Sequence, residues 1–259
     1  MSGGRDERLL PDTWRRPVLG VLGGMGPAAT VTFLDALVRA TPAARDQDHI
    51  DTVVLGHATT PDRTARLQDD TTADPVPYLM GDLELLGRLG ADLAVIVCNT
   101  AHAFLPADLP VPLLSLIEVG ARGAVRAAGG PGGADGAGAG GGDAARRPRV
   151  MLLATDGTRG SGLYQRALEA AGAQVLLPEA AGQAEVMAVI YQGVKAGVEV
   201  PTGDFLDLVG RLRGDADAVL LGCTELSVLA DQAGDGLPYD VVDAQAALVT
   251  EVLATLIPS

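Results

Sequence analysis

The sequence predicts an α/β fold made of two pseudo-symmetric domains, each a parallel sheet flanked by helices, with a cleft between them. Three observations predict it. Of the 259 residues, 47% are hydrophobic, which is enough for a substantial core. Short aliphatic runs alternate with helical patterns along the chain, as in repeated βα units. The two halves of the chain also repeat each other, segment by segment.

The clearest part of the repeat is a strand that leads to a cysteine. Residues 90–98 read GADLAVIVC, and residues 215–223 read DADAVLLGC. In both segments an Ala-Asp pair precedes a short aliphatic run, which is typical of a buried parallel strand. Polar residues follow each cysteine, Asn99-Thr100 in one half and Thr224-Glu225 in the other. They predict that a helix begins there.

Two further pairs of segments extend the repeat. The pattern of a strand, a Gly/Thr-containing turn and a helix occurs in residues 20–37 and again in residues 151–168. The segment VPLL (111–114) also resembles LPYD (237–240). Each half is therefore predicted to be a β-α-β-α-β unit, and repeated units of this kind form parallel sheets. Chance similarity between two α/β segments is the alternative to a true duplication.

The repeat suggests where the domains divide. We assign residues 16–112 plus 241–259 to a first domain that carries Cys98, and residues 113–240 to a second domain that carries Cys223. The second domain contains a glycine-rich insertion, residues 129–143. Its glycines fit a loose dinucleotide-binding pattern, but no strand precedes them, so the sequence predicts a flexible loop.

The charge of the chain limits its partners. The formal net charge is −14, which argues against nucleic acid and anionic membranes. No apolar run reaches the roughly 20 residues of a membrane span, and the first residues do not resemble a signal peptide. We therefore expect a cytoplasmic protein. An acidic ligand would need positive groups in its own site, and the single lysine, Lys195, is a candidate.

Cys98 and Cys223 are the only cysteines of the chain. Because ligands of open parallel sheets bind beyond the carboxyl ends of the strands, two facing halves would bring both thiols into one cleft. Inverting a stereocentre needs such a pair, one thiolate to remove a proton and one thiol to deliver another. We expect the helix starts to lower the thiol pKa and to supply N–H donors. Two buried structural thiols, or a disulfide, are the alternatives.

Seven segments carry a resemblance to a known family: GVLGGMGPAAT, RDQDH, PDRT, VCNTAHAF, LLATDGT, YQGVKAG and LLGCTEL. In this order they resemble the cofactor-independent aspartate racemases of the aspartate/glutamate racemase superfamily. The resemblance implies an active site in the cleft between two similar α/β domains, with the C-terminal helix returning to the first. It implies a small acidic amino acid as substrate and a homodimer. No metal, pyridoxal phosphate or nucleotide would be needed.

The resemblance also implies which residues form the site. Cys98 and Cys223 fall on the paired catalytic cysteines. Arg63 and Lys195 fall on basic positions associated with the carboxylates of the substrate. Glu225 either contacts the substrate ammonium group or caps a helix. The expected substrate-binding residues are Met25, Arg63, Asn99, Thr100, Thr158, Lys195, Thr224 and Glu225.

Other polar residues are given lesser roles. His102, one helical turn after Cys98, either tunes the thiol or supports the helix. His49 and His57 form no metal-ligand cluster with the cysteines. Asp46 and Gln47 are expected to fix a loop near the site. The segment 56–58 departs from the family pattern near the expected pocket, so the substrate stays open, although GGMGP favours the aspartate branch.

Other activities remain as alternatives. The chain is either a racemase for aspartate, glutamate or a modified acidic amino acid, or another superfamily enzyme such as a maleate isomerase. An arylmalonate-type decarboxylase keeps one active-site cysteine, whereas two are present here. A catalytically silent binding protein is the alternative from another class. A pyridoxal-dependent racemase would have to use Lys195 as its Schiff-base lysine.

Overall fold

The computed structural model describes residues 9–11, 13–14, 16–130, 146–238 and 240–257. Apart from Gly129 and Gly130, the predicted glycine-rich loop 129–143 lies outside these residues. Strands and helices alternate along the chain, as predicted. The strands are β1 (Val18–Gly23), β2 (Asp51–Gly56), β3 (Leu93–Ile96), β4 (Arg149–Leu153), β5 (Gln174–Leu176), β6 (Ala218–Leu221) and β7 (Val241–Asp243). The α-helices are α1 (Pro27–Ala40), α2 (Arg63–Gln68), α3 (Val76–Leu89), α4 (Leu116–Ala127), α5 (Asp156–Ser161), α6 (Leu163–Ala170), α7 (Ala180–Ala188), α8 (Thr202–Arg213), α9 (Thr224–Ala233) and α10 (Ala244–Leu256).

The strands form two parallel sheets with the same strand order. The first sheet has the order β2-β1-β3, and a parallel bridge between Ala94 and Leu113 adds a fourth position beside β3. The second sheet has the order β5-β4-β6-β7. Thus β1 corresponds to β4, β2 to β5, and β3 to β6. The predicted α/β fold with two similar parallel sheets is confirmed.

The Ala-Asp pair of the repeat has the same structural role in both halves. The Asp92 carboxylate accepts a hydrogen bond from the backbone N–H of Val18 at 2.9 Å, and the Asp217 carboxylate accepts one from Arg149 at 2.7 Å. The backbone N–H of each aspartate donates to the carbonyl of the same residue, at 2.9 and 2.8 Å. Each aspartate therefore pairs both backbone groups of the first residue of the central strand, which helps to fix the register of the sheet.

The last strand of the repeat is offset from the predicted correspondence. The N–H of Ala94 donates to the carbonyl of Pro112 at 2.7 Å, and the N–H of Val219 donates to that of Asp240 at 2.9 Å. Pro112 therefore corresponds to Asp240, and not to Pro238 as the match between VPLL and LPYD implies. Proline tolerates several places at a strand start because it has no N–H to pair, so a shared proline does not fix register.

The two halves share one hydrophobic core. Helix α4 packs against α10, and α10 also packs against α1. The buried cluster around these helices contains side chains of β1 and β3 from the first sheet and of β4 and β6 from the second. Each half also has a separate buried cluster on the opposite face of its sheet. Both sheets are therefore covered on two faces, as parallel sheets require.

The division into domains stays a prediction, and the sheet pairing crosses both of its boundaries. Leu113, assigned to the second domain, bridges Ala94 of the first sheet. Strand β7 pairs with β6 in the second sheet, whereas the predicted boundary before Val241 assigns it to the first domain. The structure favours a boundary after Asp243. Across the described ranges, no helix combines the length and apolar character that crossing a bilayer requires.

Candidate active site

Both cysteines lie at the carboxyl ends of their sheets, in equivalent places. Cys98 follows β3 and Cys223 follows β6, each two residues beyond the last residue of the strand. Both are free thiols and are buried, with 5% and 4% of their surface exposed. Each thiol therefore lies at the carboxyl edge of its own sheet.

The two thiols line one closed cavity whose walls come from both halves of the chain. Its volume is about 10 Å³, which is room for about one water molecule. An amino acid does not fit in this space, so binding one between the two thiols would require the walls to move apart. The lining residues are Met25, Asp62, Arg63, Thr64, Cys98, Asn99 and Thr100 from the first half and Thr155, Tyr191, Lys195, Cys223, Thr224 and Glu225 from the second.

The helices that follow the two cysteines differ. Cys223 is the N-cap of α9, whereas Cys98 and Asn99 lead into a 3₁₀ helix of five residues, Thr100–Phe104. The sequence predicts a helix after each cysteine, and the first is shorter than that pattern implies. It ends because Leu105 precedes a proline, and a residue in that position is driven to extended backbone, here φ −83° and ψ 132°.

Cys223 is held by a carboxylate. Its Sγ atom donates a hydrogen bond of 3.0 Å to Oε2 of Glu225, which is itself 4% exposed. Burial raises the pKa of the Cys223 thiol well above its usual value, and the negative charge of Glu225 adds to the effect, whereas Lys195 opposes it. The expectation that a helix start lowers the pKa of this thiol is therefore wrong for this structure. Burial outweighs the helix dipole.

The same carboxylate holds the only lysine. Oε1 of Glu225 lies 3.0 Å from Nζ of Lys195, and this Nζ lies 5.2 Å above the ring of Tyr191. Burial alone would lower the pKa of Lys195, but Glu225 and Cys223 more than compensate and raise it. Lys195 therefore stays charged inside the cavity.

Arg63 supplies the cation on the Cys98 side. Its Nη1 donates to the carbonyls of Thr60 at 3.2 Å and Pro61 at 3.0 Å, and its Nη2 donates to that of Met25 at 2.8 Å. Burial would lower the pKa of Arg63, but interaction with Cys98 and two nearby carboxylates raises it. The guanidinium thus joins two loops and stands beside the Cys98 thiol.

Asn99 is oriented by a tyrosine from the other half. The Tyr164 hydroxyl, fully buried, donates a 2.5 Å hydrogen bond to Oδ1 of Asn99. Burial raises the pKa of Tyr164 well above its usual value, so the hydroxyl keeps its proton. Nδ2 of Asn99 is buried and has no hydrogen-bond partner in the described part of the chain. The amide therefore offers a donor at the cavity wall.

Four buried threonines connect the halves beside the cavity: Thr64 and Thr100 from the first, Thr155 and Thr158 from the second. The Oγ1 atom of Thr155 lies 3.3 Å from the Oγ1 atom of Thr64 and 3.1 Å from the Oγ1 atoms of Thr100 and Thr158. The Oγ1 atoms of Thr100 and Thr158 are 2.8 Å apart. Thr158 is fully buried and, unlike the other predicted site residues, does not line the cavity. It supports Thr100.

A glycine makes the close approach of the halves possible. A Cβ atom on Gly157, in α5, would lie 2.7 Å from Oγ1 and 2.8 Å from Cα of Thr64, in α2. These distances are shorter than any normal contact, so no larger residue fits while the halves are closed. Gly157 is the second residue of α5, which Thr155 caps through its hydroxyl.

Every predicted site residue except Thr158 lines the same cavity. Sequence reasoning did not single out four further lining residues. Each of them stands inside a motif that carried the resemblance, next to or near a residue that was chosen, so the motifs contained the signal. These four are Asp62 and Thr64 in PDRT, Thr155 in LLATDGT and Tyr191 in YQGVKAG.

The histidine nearest the site supports the backbone. Nδ1 of His102 lies 3.0 Å from the carbonyl oxygen of Cys98. Burial lowers the pKa of His102 to about 4, so the ring is neutral and Nδ1 donates. His57 lies outside the cavity, where its Nδ1 is 2.7 Å from Oδ2 of Asp82. Across the described residues, no three His, Cys, Asp or Glu side chains are grouped so that they could hold a metal ion.

The prediction that Asp46 and Gln47 fix a loop near the site is wrong. They lie in a 3₁₀ turn, Asp46–Asp48, just before β2 begins at Asp51. In a parallel sheet the amino ends of the strands share one edge, and the cysteines stand at the other. The RDQDH motif therefore belongs to the opposite side of the sheet.

A protein-family model matches most of the chain. The sequence model of the Asp/Glu/hydantoin racemase family matches residues 22–252. A solved structure, the aspartate racemase of Picrophilus torridus, superposes with a TM-score of 0.72 at 26% identity, over 93% of this chain and 94% of that one.

Two curated relatives agree with this match. The glutamate racemase of Aquifex aeolicus (strain VF5) is 27% identical over 227 residues, 85% of this chain and 76% of the relative. The broad specificity amino-acid racemase RacX of Bacillus subtilis (strain 168) is 23% identical over 247 residues, 92% of this chain and 97% of the relative.

Proposed function

The chain belongs to the Asp/Glu/hydantoin racemase family, and we propose that it interconverts L- and D-aspartate, or a close acidic analogue, by proton transfer between Cys98 and Cys223. One observation carries this proposal. Two free thiols, each at the carboxyl end of a strand in its own half, line one closed cavity together with two cations, Arg63 and Lys195.

The reaction consists of two proton transfers. The thiolate on one side removes the α-proton, and the electron pair of the broken C–H bond passes into the neighbouring carboxylate, which makes the carbon planar. The thiol on the opposite side then donates its proton to the other face. The product is the mirror image of the substrate, and the two sulfur atoms have exchanged their protonation states.

The cavity supplies what the intermediate needs. An α-proton is a far weaker acid than a thiol, so the negative charge that develops must be stabilised. Arg63 and Lys195 are fixed cations, and Nδ2 of Asn99 is a donor without a partner in the described residues. Preorganised groups of this kind act strongly where water is excluded.

The two thiols stand in opposite electrostatic surroundings, which suggests their roles before substrate binds. Cys98 interacts with the Arg63 guanidinium, whereas Cys223 donates a hydrogen bond to the Glu225 carboxylate. Burial and the nearby carboxylate favour a protonated thiol at Cys223. We therefore assign Cys223 as the acid of the resting protein, and under the two-thiol mechanism the role of base falls to Cys98.

Aspartate is the proposed substrate for two reasons. The solved structure with the TM-score of 0.72 is named as an aspartate racemase, and two cations suit a substrate with two carboxylates. The names of the curated relatives include glutamate and broad-specificity racemases, so related amino acids belong in the same assay. The expected homodimer and cytoplasmic location stay predictions.

The first test is a screen of single enantiomers by circular dichroism. We expect the ellipticity of L- and D-aspartate, or of a close acidic analogue, to decay to zero with purified protein. Maleate is included, with absorbance as the readout, because conversion of maleate without racemisation would replace the proposal by an isomerase. Binding of acidic amino acids without any turnover would indicate a silent binding protein.

The second test examines the two thiols in heavy water. Cys98→Ala and Cys223→Ala should each abolish racemisation. Each variant retains a base on one face, so each should exchange the α-proton of one enantiomer with retention, and the two variants should prefer opposite enantiomers. Either variant racemising near the wild-type rate, or both exchanging the same enantiomer, contradicts the two-thiol mechanism.

A further inference from the structure

A partition of five residues separates the closed cavity from an outer groove. The groove has a volume of about 480 Å³ and runs along the turn after β1, the first residues of α1 and the segment around Lys195. It has room for an amino acid, whereas the cavity of about 10 Å³ has not. The residues that line both spaces are Met25, Asp62, Arg63, Lys195 and Glu225.

Glu225 is the member of this partition that joins Lys195 to the Cys223 thiol. One of its carboxylate oxygens lies 3.0 Å from Nζ of Lys195, and the other accepts the hydrogen bond of 3.0 Å from Cys223. The first oxygen also touches the turn before α1, because a Cβ atom built on Gly26 would be 2.9 Å from it. A buried carboxylate thus fills the space between a cation, a thiol and a loop.

A bound substrate would need that same space. The substrate must place a carboxylate against a cation and its α-carbon within reach of both thiols. With Glu225 in this position, Lys195 is already paired, and a second carboxylate beside it would meet a like charge. The carboxylate of Glu225 and that of a substrate therefore exclude each other at Lys195.

We infer that the Glu225 carboxylate occupies the subsite of one substrate carboxylate, and that substrate entering from the outer groove displaces it from Lys195. The inference rests on the proposed function for the identity of the substrate. The displacement also breaks the hydrogen bond between Glu225 and Cys223, so the thiol is released when the site fills. Binding and the release of Cys223 are then one event.

The inference predicts a gain in affinity when Glu225 is removed. Succinate serves as the probe, because it has two carboxylates and no amino group and cannot react. Its dissociation constant is measured by isothermal titration calorimetry with the wild type, Glu225→Ala and Glu225→Gln. We expect Glu225→Ala to bind succinate about tenfold more tightly, because the fraction of protein with a vacant subsite rises. Glu225→Gln, which loses the charge and keeps the volume, should gain about threefold.

Asp62→Asn is the matched control. Asp62 lines the same two spaces and carries the same charge, but its carboxylate caps α2 and accepts from Tyr191, and it has no ion pair with Lys195 among those of the described residues. The asparagine keeps an acceptor for the cap. Because Asp62 acts on Arg63 and does not pair with Lys195, the succinate affinity of this variant should rise less than that of Glu225→Gln.

The outcomes are distinct. Unchanged or weaker succinate binding in both Glu225 variants overturns the inference and indicates instead that Glu225 binds the substrate, for example its ammonium group. An equal gain in Asp62→Asn also overturns it, since any lost negative charge would then suffice. If Glu225→Ala does not fold, the succinate affinity of Glu225→Gln decides whether the inference holds. A wild type that racemises nothing contradicts the proposed function, yet the succinate comparison still tests Glu225.

Discussion

Tyr164 and Asn99 come from different halves of the chain, and the hydroxyl of Tyr164 donates to Oδ1 of Asn99 at 2.5 Å. This contact decides how the amide of Asn99 faces the cavity. With its oxygen held by the tyrosine, the nitrogen is left as a donor without a partner in the described residues. A side chain buried in the second half thus orients a polar group beside Cys98.

Replacing Tyr164 by phenylalanine should release this orientation. The Asn99 amide can then rotate and present an acceptor to a carboxylate. We expect kcat/KM for aspartate to fall about fivefold, which corresponds to the loss of one hydrogen bond of about 1 kcal/mol. Steady-state kinetics checks this, with Tyr78→Phe, an exposed tyrosine, as the control. Equal kinetics for Tyr164→Phe and wild type would contradict the role of Tyr164.

Gly157→Ala should hold the two halves apart. The new methyl group would lie 2.7 Å from Oγ1 of Thr64, and relieving such overpacking costs about 1–3 kcal/mol. We expect kcat/KM to fall about tenfold or more. Gly160→Ala is the control in the same helix, where nothing lies within 4 Å, and it should leave activity unchanged. Similar losses in both variants would mean that the helix, and not the contact with Thr64, is responsible.

Arg63→Lys should be a poor substitute although it keeps the charge. A lysine cannot reach the carbonyls of Thr60, Pro61 and Met25 together, as the guanidinium does. We expect kcat/KM to fall about 100-fold and the free energy of unfolding to fall by about 1–3 kcal/mol, since buried carbonyls lose their donors.

The control for Arg63 is Arg66→Lys, in the same helix. Arg66 pairs with the exposed Asp70, and exposed pairs contribute about 0–1 kcal/mol. Kinetics and urea denaturation measure both variants. If the two substitutions behave alike, the three carbonyl contacts of Arg63 do not matter for the site.

His102 should make the fold less stable in mild acid. Its pKa is about 4 in the folded protein and 6.5 when unperturbed. Between these values the unfolded chain binds a proton that the folded protein does not, so the free energy of unfolding decreases as pH falls from 6.5 to 4. The decrease reaches up to about 3 kcal/mol.

Urea denaturation at pH 7 and at pH 4.5 measures this effect. His102→Gln should lose that part of the pH dependence, whereas His49→Gln, which lies outside the cores, should keep it. If wild type and His102→Gln show the same change between the two pH values, His102 is not buried as a neutral ring.

The sequence predicted the fold well because its main signals are local. A short aliphatic run predicts a buried parallel strand wherever it occurs, and the repeat of GADLAVIVC in DADAVLLGC places one such run in each half. The aspartate of each run is recognisable for a physical reason, since Asp92 and Asp217 both pair the first residue of a central strand. The same two segments end in Cys98 and Cys223, so the position of each cysteine after its strand could also be predicted.

Contacts between distant residues could not be predicted in this way. The closed cavity, the bond from Tyr164 to Asn99 and the threonine cluster join side chains from different halves, and no local pattern encodes their distances. The pKa of Cys223 illustrates the same limit. Its position at a helix start is readable from the sequence, but the burial and the Glu225 carboxylate that raise its pKa exist only in the folded protein.

The small size of the cavity has a kinetic consequence under the two-thiol mechanism. Each conversion leaves the protein with its proton on the other sulfur, ready only for the reverse reaction. Before it can accept another molecule of the starting enantiomer, a proton must leave one thiol and reach the other, and a closed space of about 10 Å³ holds about one water molecule to carry it. Every net conversion therefore includes a proton return that restores the starting thiol and thiolate, a step separate from the breaking of the C–H bond.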